Sequence, residues 1–254
     1  MDVLEGKTAI VTGGGLGIGR STCLALADAG AHVAVWDVSA ANASATVEEI
    51  ASRGGKAFGL VGSVADALDV KRCFSEADQR WSKLDVLVNN AGVSGNRPTL
   101  ELTDQEWHRG ISINLDGVFF CSREAGSRMQ VSGGGRIVNL GSIYSVVAAP
   151  NRLSYCASKA GVAMMTKSLA IEWAHLGINV NCVAPGYVDT PLIHELAADG
   201  RIDVEALRNR TPQKRLANSD EIADAVLYFC DPRSTHITGQ VLCVDGGWTA
   251  YGYL

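Results

Sequence analysis

Short apolar runs of strand length alternate along the chain with longer stretches in which apolar residues recur every three or four positions. The strand candidates are residues 7–12, 32–36, 57–61, 84–89, 136–140, 178–183 and 240–244. An alanine-rich helix is expected over 20–29. Helical spacing shows again in Val70, Phe74, Ala77 and Trp81, and in Ile222, Ala225, Val226 and Phe229. Thr103-x-x-Glu106 is a capping box that predicts one long helix carrying Trp107, Ile111, Leu115 and Phe119. Seven strands with intervening helices imply an α/β fold, a single doubly wound domain over 1–254 whose parallel sheet is covered on both faces. No repeat and no domain boundary interrupts it. The one irregular stretch, about 190–217, carries mixed charge with Gly200 and Pro212 as breakers. A long segment of that kind is expected to be an active-site lid rather than a linker.

Composition narrows the function. A chain of 254 residues with 47% hydrophobic content can bury a large core. Net charge is −5 with no basic block, so neither nucleic acid nor an anionic membrane is an expected partner. The N-terminus is acidic and enters the first strand directly, which argues against a secretory signal. No apolar stretch approaches the roughly 20 residues of a membrane span. Seven cysteines without a C-x-x-C suit free thiols in a reducing cytoplasm. Five dispersed histidines show no ligand spacing, so no metal site is expected.

Two motifs carry chemistry. The first strand runs into Gly13-Gly14-Gly15-Leu16-Gly17-Ile18-Gly19 and then a helix. Glycines let the backbone approach phosphates, and the helix start offers free N–H groups to anionic oxygens. The spacing is G-x-x-x-G-x-G rather than the usual dinucleotide fingerprint. Asp37, with Val38 behind it, ends the second strand where an acid receives ribose hydroxyls; a loop or capping aspartate is the alternative. Downstream, Tyr155 and Lys159 stand at i and i+4, with Ser142 ahead of them at the end of an apolar run. On one helix face an ammonium beside a phenol would lower the phenol's pKa from about 10. A tyrosine so tuned can exchange a proton with an alcohol or ketone oxygen. A half-buried aromatic beside a solvated lysine is the plainer alternative.

With Asn89-Asn90-Ala91-Gly92, Asn114, Pro185-Gly186-Tyr187-Val188-Asp189-Thr190 and Asp245-Gly246-Gly247, these motifs make nearly the whole chain resemble the single-domain short-chain dehydrogenase/reductase family. The resemblance implies a Rossmann fold and hydride transfer between a nicotinamide dinucleotide and a secondary alcohol or ketone. It implies that Tyr155 is the acid/base, that Lys159 lowers its pKa and holds the nicotinamide ribose, and that Ser142 orients the substrate oxygen. Asn114 would hold a water that relays the proton. Gly13, Gly17, Ile18, Gly19, Asp37, Val38, Asn90, Ala91 and Gly92 would hold the adenosine half and pyrophosphate; Pro185, Gly186, Val188 and Thr190 would hold the nicotinamide. The family's adenine-binding aspartate is absent: Ser63 stands there before Val64, a weaker acceptor than a carboxylate, and the adenine contact is expected to pass through Ser63 or the Val64 backbone. NAD is expected over NADP, because Asp37 would repel a 2′-phosphate and Arg20 is the only nearby cation. Tyr144, Arg152 and Tyr187, with Ser142, are the candidate substrate contacts; a solvated Arg152 is the alternative. A fatty-acid-type 3-oxoacyl thioester reductase and a non-catalytic dinucleotide-binding protein are the other function classes. The resemblance also implies a homotetramer paired through the helices around 107–121 and 161–173. The aromatic-rich tail, unusual at a terminus, places Tyr251, Tyr253 and Leu254 at a subunit interface or, alternatively, folded onto their own subunit.

Overall fold

The computed structural model describes residues 3–252. Seven parallel strands, β1 Thr8–Thr12, β2 His32–Asp37, β3 Lys56–Val61, β4 Val86–Asn89, β5 Gly135–Leu140, β6 Ile178–Pro185 and β7 Val241–Val244, lie in the order 3-2-1-4-5-6-7. Neighbouring side chains of a strand point to opposite faces, and both faces are apolar. Ala9, Val11, Val33, Val35, Val86 and Val88 pack beneath α1 (Gly17–Asp28) and α9 (Ser219–Cys230) through Leu24, Leu26, Ile222 and Phe229. Ile10, Ala34, Trp36, Leu87 and Ile137 pack on the other face against α3 (Ala67–Asp78), α5 (Gly117–Ser132) and α6 (Leu153–Trp173) through Phe74, Cys121, Met129 and Ala170. The strand order reverses between β1 and β4. The crevice above the carboxyl ends of those strands is where such sheets bind ligands.

The long helix expected after Thr103 is interrupted. The capping box forms and starts α4 (Asp104–Ile111), but residues Ser112–Asp116 make a π turn before α5. A π turn inserts one extra residue, which keeps Trp107 and Leu115 on a helical pattern while shifting the face beyond them. Val118 is accordingly buried rather than exposed, and Phe119 is the residue left at the surface. The irregular 190–217 stretch also contains two short helices, α7 (Pro191–Ala198) and α8 (Val204–Arg210). Its ends are joined: Asp189 N–H donates to the Ala217 carbonyl at 2.8 Å and Ala217 N–H to the Tyr187 carbonyl at 3.0 Å. The segment therefore stands over the sheet edge on a closed base. α2 (Ala40–Ser52) follows β2 and covers the glycine turn from outside.

Candidate active site

The glycine turn between β1 and α1 is built by close backbone approach. Gly13 has φ of 63° and Gly17 of 53°, a region that side chains disfavour. A Cβ on Gly19 would sit 2.0 Å from the Gly13 carbonyl oxygen. Asn90 ties the turn to the end of β4, its Nδ2 donating to the carbonyls of Thr12 (3.0 Å) and Gly13 (2.9 Å). Thr12 Oγ1 returns the tie by accepting from the N–H groups of Asn90 and Ala91. Leu16, at the N-cap of α1, supplies no side-chain cap, and no acidic residue occupies the first turn. Those uncapped N–H groups and the positive end of the helix fit an anionic phosphate.

A cavity of about 650 Å³ opens over this turn. It runs from Gly17, Ile18 and Gly19 past Asp37 and Val38 to Ser63 and Val64, with Asn90, Ala91 and Gly92 along its floor and Thr190 at one end. Asp37 accepts from the Gly15 N–H at 3.1 Å and the Ser39 N–H at 2.9 Å, which holds its carboxylate at the rim. Arg20, the one cation the sequence offered there, pairs with Glu49 of α2 and is thereby neutralised. Ser63 is fixed differently from a simple replacement of an acid. Its N–H donates to Asp69 at 3.0 Å and its hydroxyl accepts from Ala65 N–H at 3.2 Å, so the hydroxyl proton remains free to donate. The shape, the glycine cradle and the acid at the ribose position fit a nicotinamide dinucleotide. Leu16, Trp36, Arg109 and Ile113 also line this cavity; Arg109 and Ile113 reach it through the α4–π-turn geometry, for which periodicity gives no signal.

A second cleft of about 190 Å³ adjoins it, sharing Ile18, Asn90, Gly92, Val93 and Thr190. Ser142, Tyr144, Tyr155, Lys159, Arg152 and Tyr187 all line this cleft, together with Pro185, Gly186 and Val188. Ser142 caps a short 3-10 turn after β5, and Tyr155 and Lys159 rise from the first turns of α6. Arg152 stands just ahead of α6. The helix begins at Leu153, and Arg152 is its non-helical N-cap residue, reaching the cleft from the preceding turn.

The electrostatics also differ from the sequence expectation. Burial raises the Tyr155 pKa, and the nearby Ser142 hydroxyl and Arg152 charge only oppose that rise. The Lys159 ammonium makes no hydrogen bond to the phenol oxygen. It donates to the Leu140 carbonyl at 2.7 Å and lies 5.8 Å from the Tyr155 ring centre. Burial brings its own pKa down to about 8. Asn114 sits in the π turn with its amide engaged: Oδ1 accepts from Val93 N–H at 2.8 Å, and Nδ2 donates to the Val93 carbonyl at 2.9 Å and to Ser158 Oγ at 3.3 Å. It joins the loop after β4 to the helix layer. A Cβ on Gly92 would stand 3.2 Å from Asn114 Oδ1 and 3.7 Å from Lys159 Nζ, so the three converge on one small space.

Other candidates lie elsewhere. His194 pairs with Asp189 at 2.7 Å and is exposed. Arg97 is bound to Glu106, and Trp248 packs on Tyr187 behind the cleft. Tyr251 lies against the Arg210 guanidinium of its own α8, 5.0 Å from the ring centre; Tyr253 and Leu254 fall outside the described residues. Among the described residues no group of His, Cys, Asp and Glu could hold a metal ion, and no helix is long and apolar enough to cross a membrane.

A parallel sheet with a glycine turn at its reversal point, opening onto a tyrosine–serine–lysine cleft, defines the class of Rossmann-type oxidoreductases. A family model described as enoyl-(acyl carrier protein) reductase matches residues 14–249. The chain is 40% identical to the cis-4-hydroxycyclohexanecarboxylate dehydrogenase of Sinomonas cyclohexanicum, over 96% of this chain and 97% of that one. It is 39% identical to the 3-oxoacyl-(acyl-carrier-protein) reductase of Staphylococcus aureus, over 95% and 97%. A gluconate 5-dehydrogenase from Burkholderia cenocepacia, solved with NADP and tartrate, superposes with a TM-score of 0.92 at 34% identity, covering 98% and 97%. The chain belongs to the short-chain dehydrogenase/reductase family, and it is an oxidoreductase of alcohol and ketone groups.

Proposed function

We propose that this enzyme interconverts a small secondary alcohol and its ketone with NAD as the favoured dinucleotide and Tyr155 as the acid/base. The observation that carries this is the meeting of Tyr155 and Ser142 in one cleft, above the buried Lys159 and continuous with the glycine-turn cavity. The dinucleotide, when bound by Gly13, Gly17, Ile18, Gly19, Asp37 and Thr190, supplies the hydride acceptor or donor. Ser142 holds the substrate oxygen. Tyr155, kept protonated by burial, donates its proton to that oxygen as a ketone becomes an alcohol, and takes it back in oxidation. Lys159 supplies charge beneath the phenol, and Asn114 holds the Val93 loop so that this geometry persists. Tyr144 and Tyr187, whose hydroxyls lie 2.7 Å apart, form the substrate wall. Preference for NAD rests on the Asp37 carboxylate and on the neutralised Arg20.

The segment 190–217 acts as a lid: Ile193 and Leu196 of α7 line the cleft from above. Self-association to a homotetramer is supported by apolar side chains left at the surface of α5 and α6, namely Phe119, Met164 and Ile171. Seven free thiols suit a reducing cytoplasm. The test is a panel of secondary alcohols and ketones monitored by NADH absorbance, with an acyl-thioester analogue as a separate arm. Turnover of the thioester alone would move the assignment to a 3-oxoacyl reductase, and turnover of nothing would leave a dinucleotide-binding protein.

A further inference from the structure

We propose that the substrate is an anion, a small hydroxy acid or oxo acid whose carboxylate is received by Arg152; this rests on the dehydrogenase assignment above. The cleft that holds Tyr155 and Ser142 is lined by no aspartate or glutamate. Its two ionisable cations are Lys159, which is turned onto the Leu140 carbonyl, and Arg152. Two neighbouring arginines are committed, Arg20 to Glu49 and Arg97 to Glu106. Arg152 has no carboxylate partner among the described residues. Its side chain makes a single hydrogen bond, from Nη1 to Ser94 Oγ at 3.3 Å. A guanidinium carries five N–H donors in a planar fork that matches a carboxylate, so most of that capacity is unused.

Arg152 is also held in place. Asn151, in the left-handed region at φ of 64°, turns the chain immediately before it, and the Asn151 carbonyl accepts from Arg97 N–H at 2.8 Å. The guanidinium then lies over the Tyr144 ring, 5.6 Å from its centre. Stacking on an aromatic face fixes the plane of the fork while leaving its edge open. A surface arginine that served only solubility would need neither the strained turn nor the aromatic platform.

The placement sets the size of the ligand. Arg152 and Tyr155 line the same cleft of about 190 Å³, only three residues apart in the chain. A substrate whose carbinol oxygen lies between Ser142 and Tyr155 can therefore reach Arg152 with a carboxylate only a few bonds away. An adjoining polar cavity of about 270 Å³, sharing Val93 and Ser94 with the cleft, is lined by Arg97, Glu106, Arg109 and Arg201; Arg97 and Glu106 pair with each other, which leaves Arg109 and Arg201 as the excess charge. Positive charge on that side draws anions toward the entrance.

The experiment pairs each hydroxy acid with its neutral amide: 3-hydroxybutanoate with 3-hydroxybutanamide, and 4-hydroxycyclohexanecarboxylate with its primary amide. Binding to the enzyme saturated with NADH is measured by calorimetry, and turnover by NADH absorbance, for wild type, Arg152→Gln and Arg152→Lys. At least one acid should bind and turn over about tenfold or more better than its amide in wild type. That ratio should fall to about one in Arg152→Gln and recover in part in Arg152→Lys. Unchanged NADH affinity confirms that the variants are folded. Amides as good as acids, or an acid preference that survives Arg152→Gln, overturns the proposal while leaving the dehydrogenase assignment intact. A parallel fall for acid and amide, with the pH profile displaced upward, would show instead that Arg152 acts only on the Tyr155 pKa. Acid binding without turnover of any pair would keep the anion site and remove the dehydrogenase assignment.

Discussion

Cofactor choice turns on one carboxylate, and Asp37→Asn is the cleanest way to ask what it does. The amide keeps an acceptor for the Gly15 or Ser39 N–H, so the rim of the cavity should hold its shape. What disappears is the negative charge at the adenosine ribose. A phosphate placed about 4 Å from that carboxylate would be repelled by ~1 to 4 kcal/mol per charge pair between bulk water and a protein surface. At 1.4 kcal/mol per factor of ten, the ratio of kcat/KM for NADP over NAD should rise by ~5-fold to several hundredfold. The cation next to the turn is not free to help, because Arg20 is paired with Glu49, which also binds Arg53 at 2.8 Å. Glu49→Gln should therefore add to the effect by releasing Arg20, and the double variant should exceed either single one. The assay is initial rate against each dinucleotide at fixed alcohol. Equal use of NAD and NADP by the wild type, or an unchanged ratio in Asp37→Asn, would refute the reasoning.

Gly19→Ala should abolish dinucleotide binding, because its Cβ would fall 2.0 Å from a backbone oxygen that cannot move without opening the turn; retained NADH fluorescence enhancement would contradict this. Lys159→Met should be more stable than wild type at pH 7. A lysine pKa brought from 10.5 to about 8 means that the folded state pays to keep the charge below that pH. The unfolded chain binds the extra proton between pH 8 and 10.5, so wild-type stability rises there and the difference in Tm should shrink; a difference that widens with pH would be the wrong sign. Because burial raises the Tyr155 pKa, reduction should hold its rate through neutral pH while oxidation climbs into the alkaline range, read from paired pH profiles. Arg210→Ala, which frees Trp248 and Tyr251 from α8, should raise KM more than it lowers kcat, since the contact supports the lid and not the reacting atoms; an unchanged KM would argue against that support.

The central strands were legible because β1, β2, β4, β5 and β6 are apolar runs buried on both faces; β3 and β7, at the sheet edges, are only partly covered, and the boundaries moved only slightly, β4 starting at Val86 rather than Leu84. The motif residues were legible because glycine geometry and the i, i+4 pair each carry a local physical requirement. Three features were not. The π turn at Ser112–Asp116 adds one residue without breaking helical periodicity, so the one long helix expected after Thr103 is in fact two, and the face of the second that enters the core, Val118 included, is shifted. The two short helices within 190–217 rest on few buried side chains, Leu196 among them, and short helices of that kind leave little pattern. The Tyr155 pKa depends first on burial, which residues distant in sequence set, and the Lys159 ammonium is drawn to the Leu140 carbonyl, a contact that the i, i+4 spacing does not signal.

The central claim is that Tyr155 performs the proton transfer. Tyr155→Phe removes only the phenol oxygen from a residue packed against Tyr144 at 6.2 Å between ring centres. Turnover of the best alcohol in the panel, measured beside NADH affinity, tests it most directly. The account predicts a kcat lower by about a hundredfold or more with NADH binding retained. A variant that keeps more than about a tenth of wild-type kcat, a barrier change of only ~1.4 kcal/mol, would contradict it.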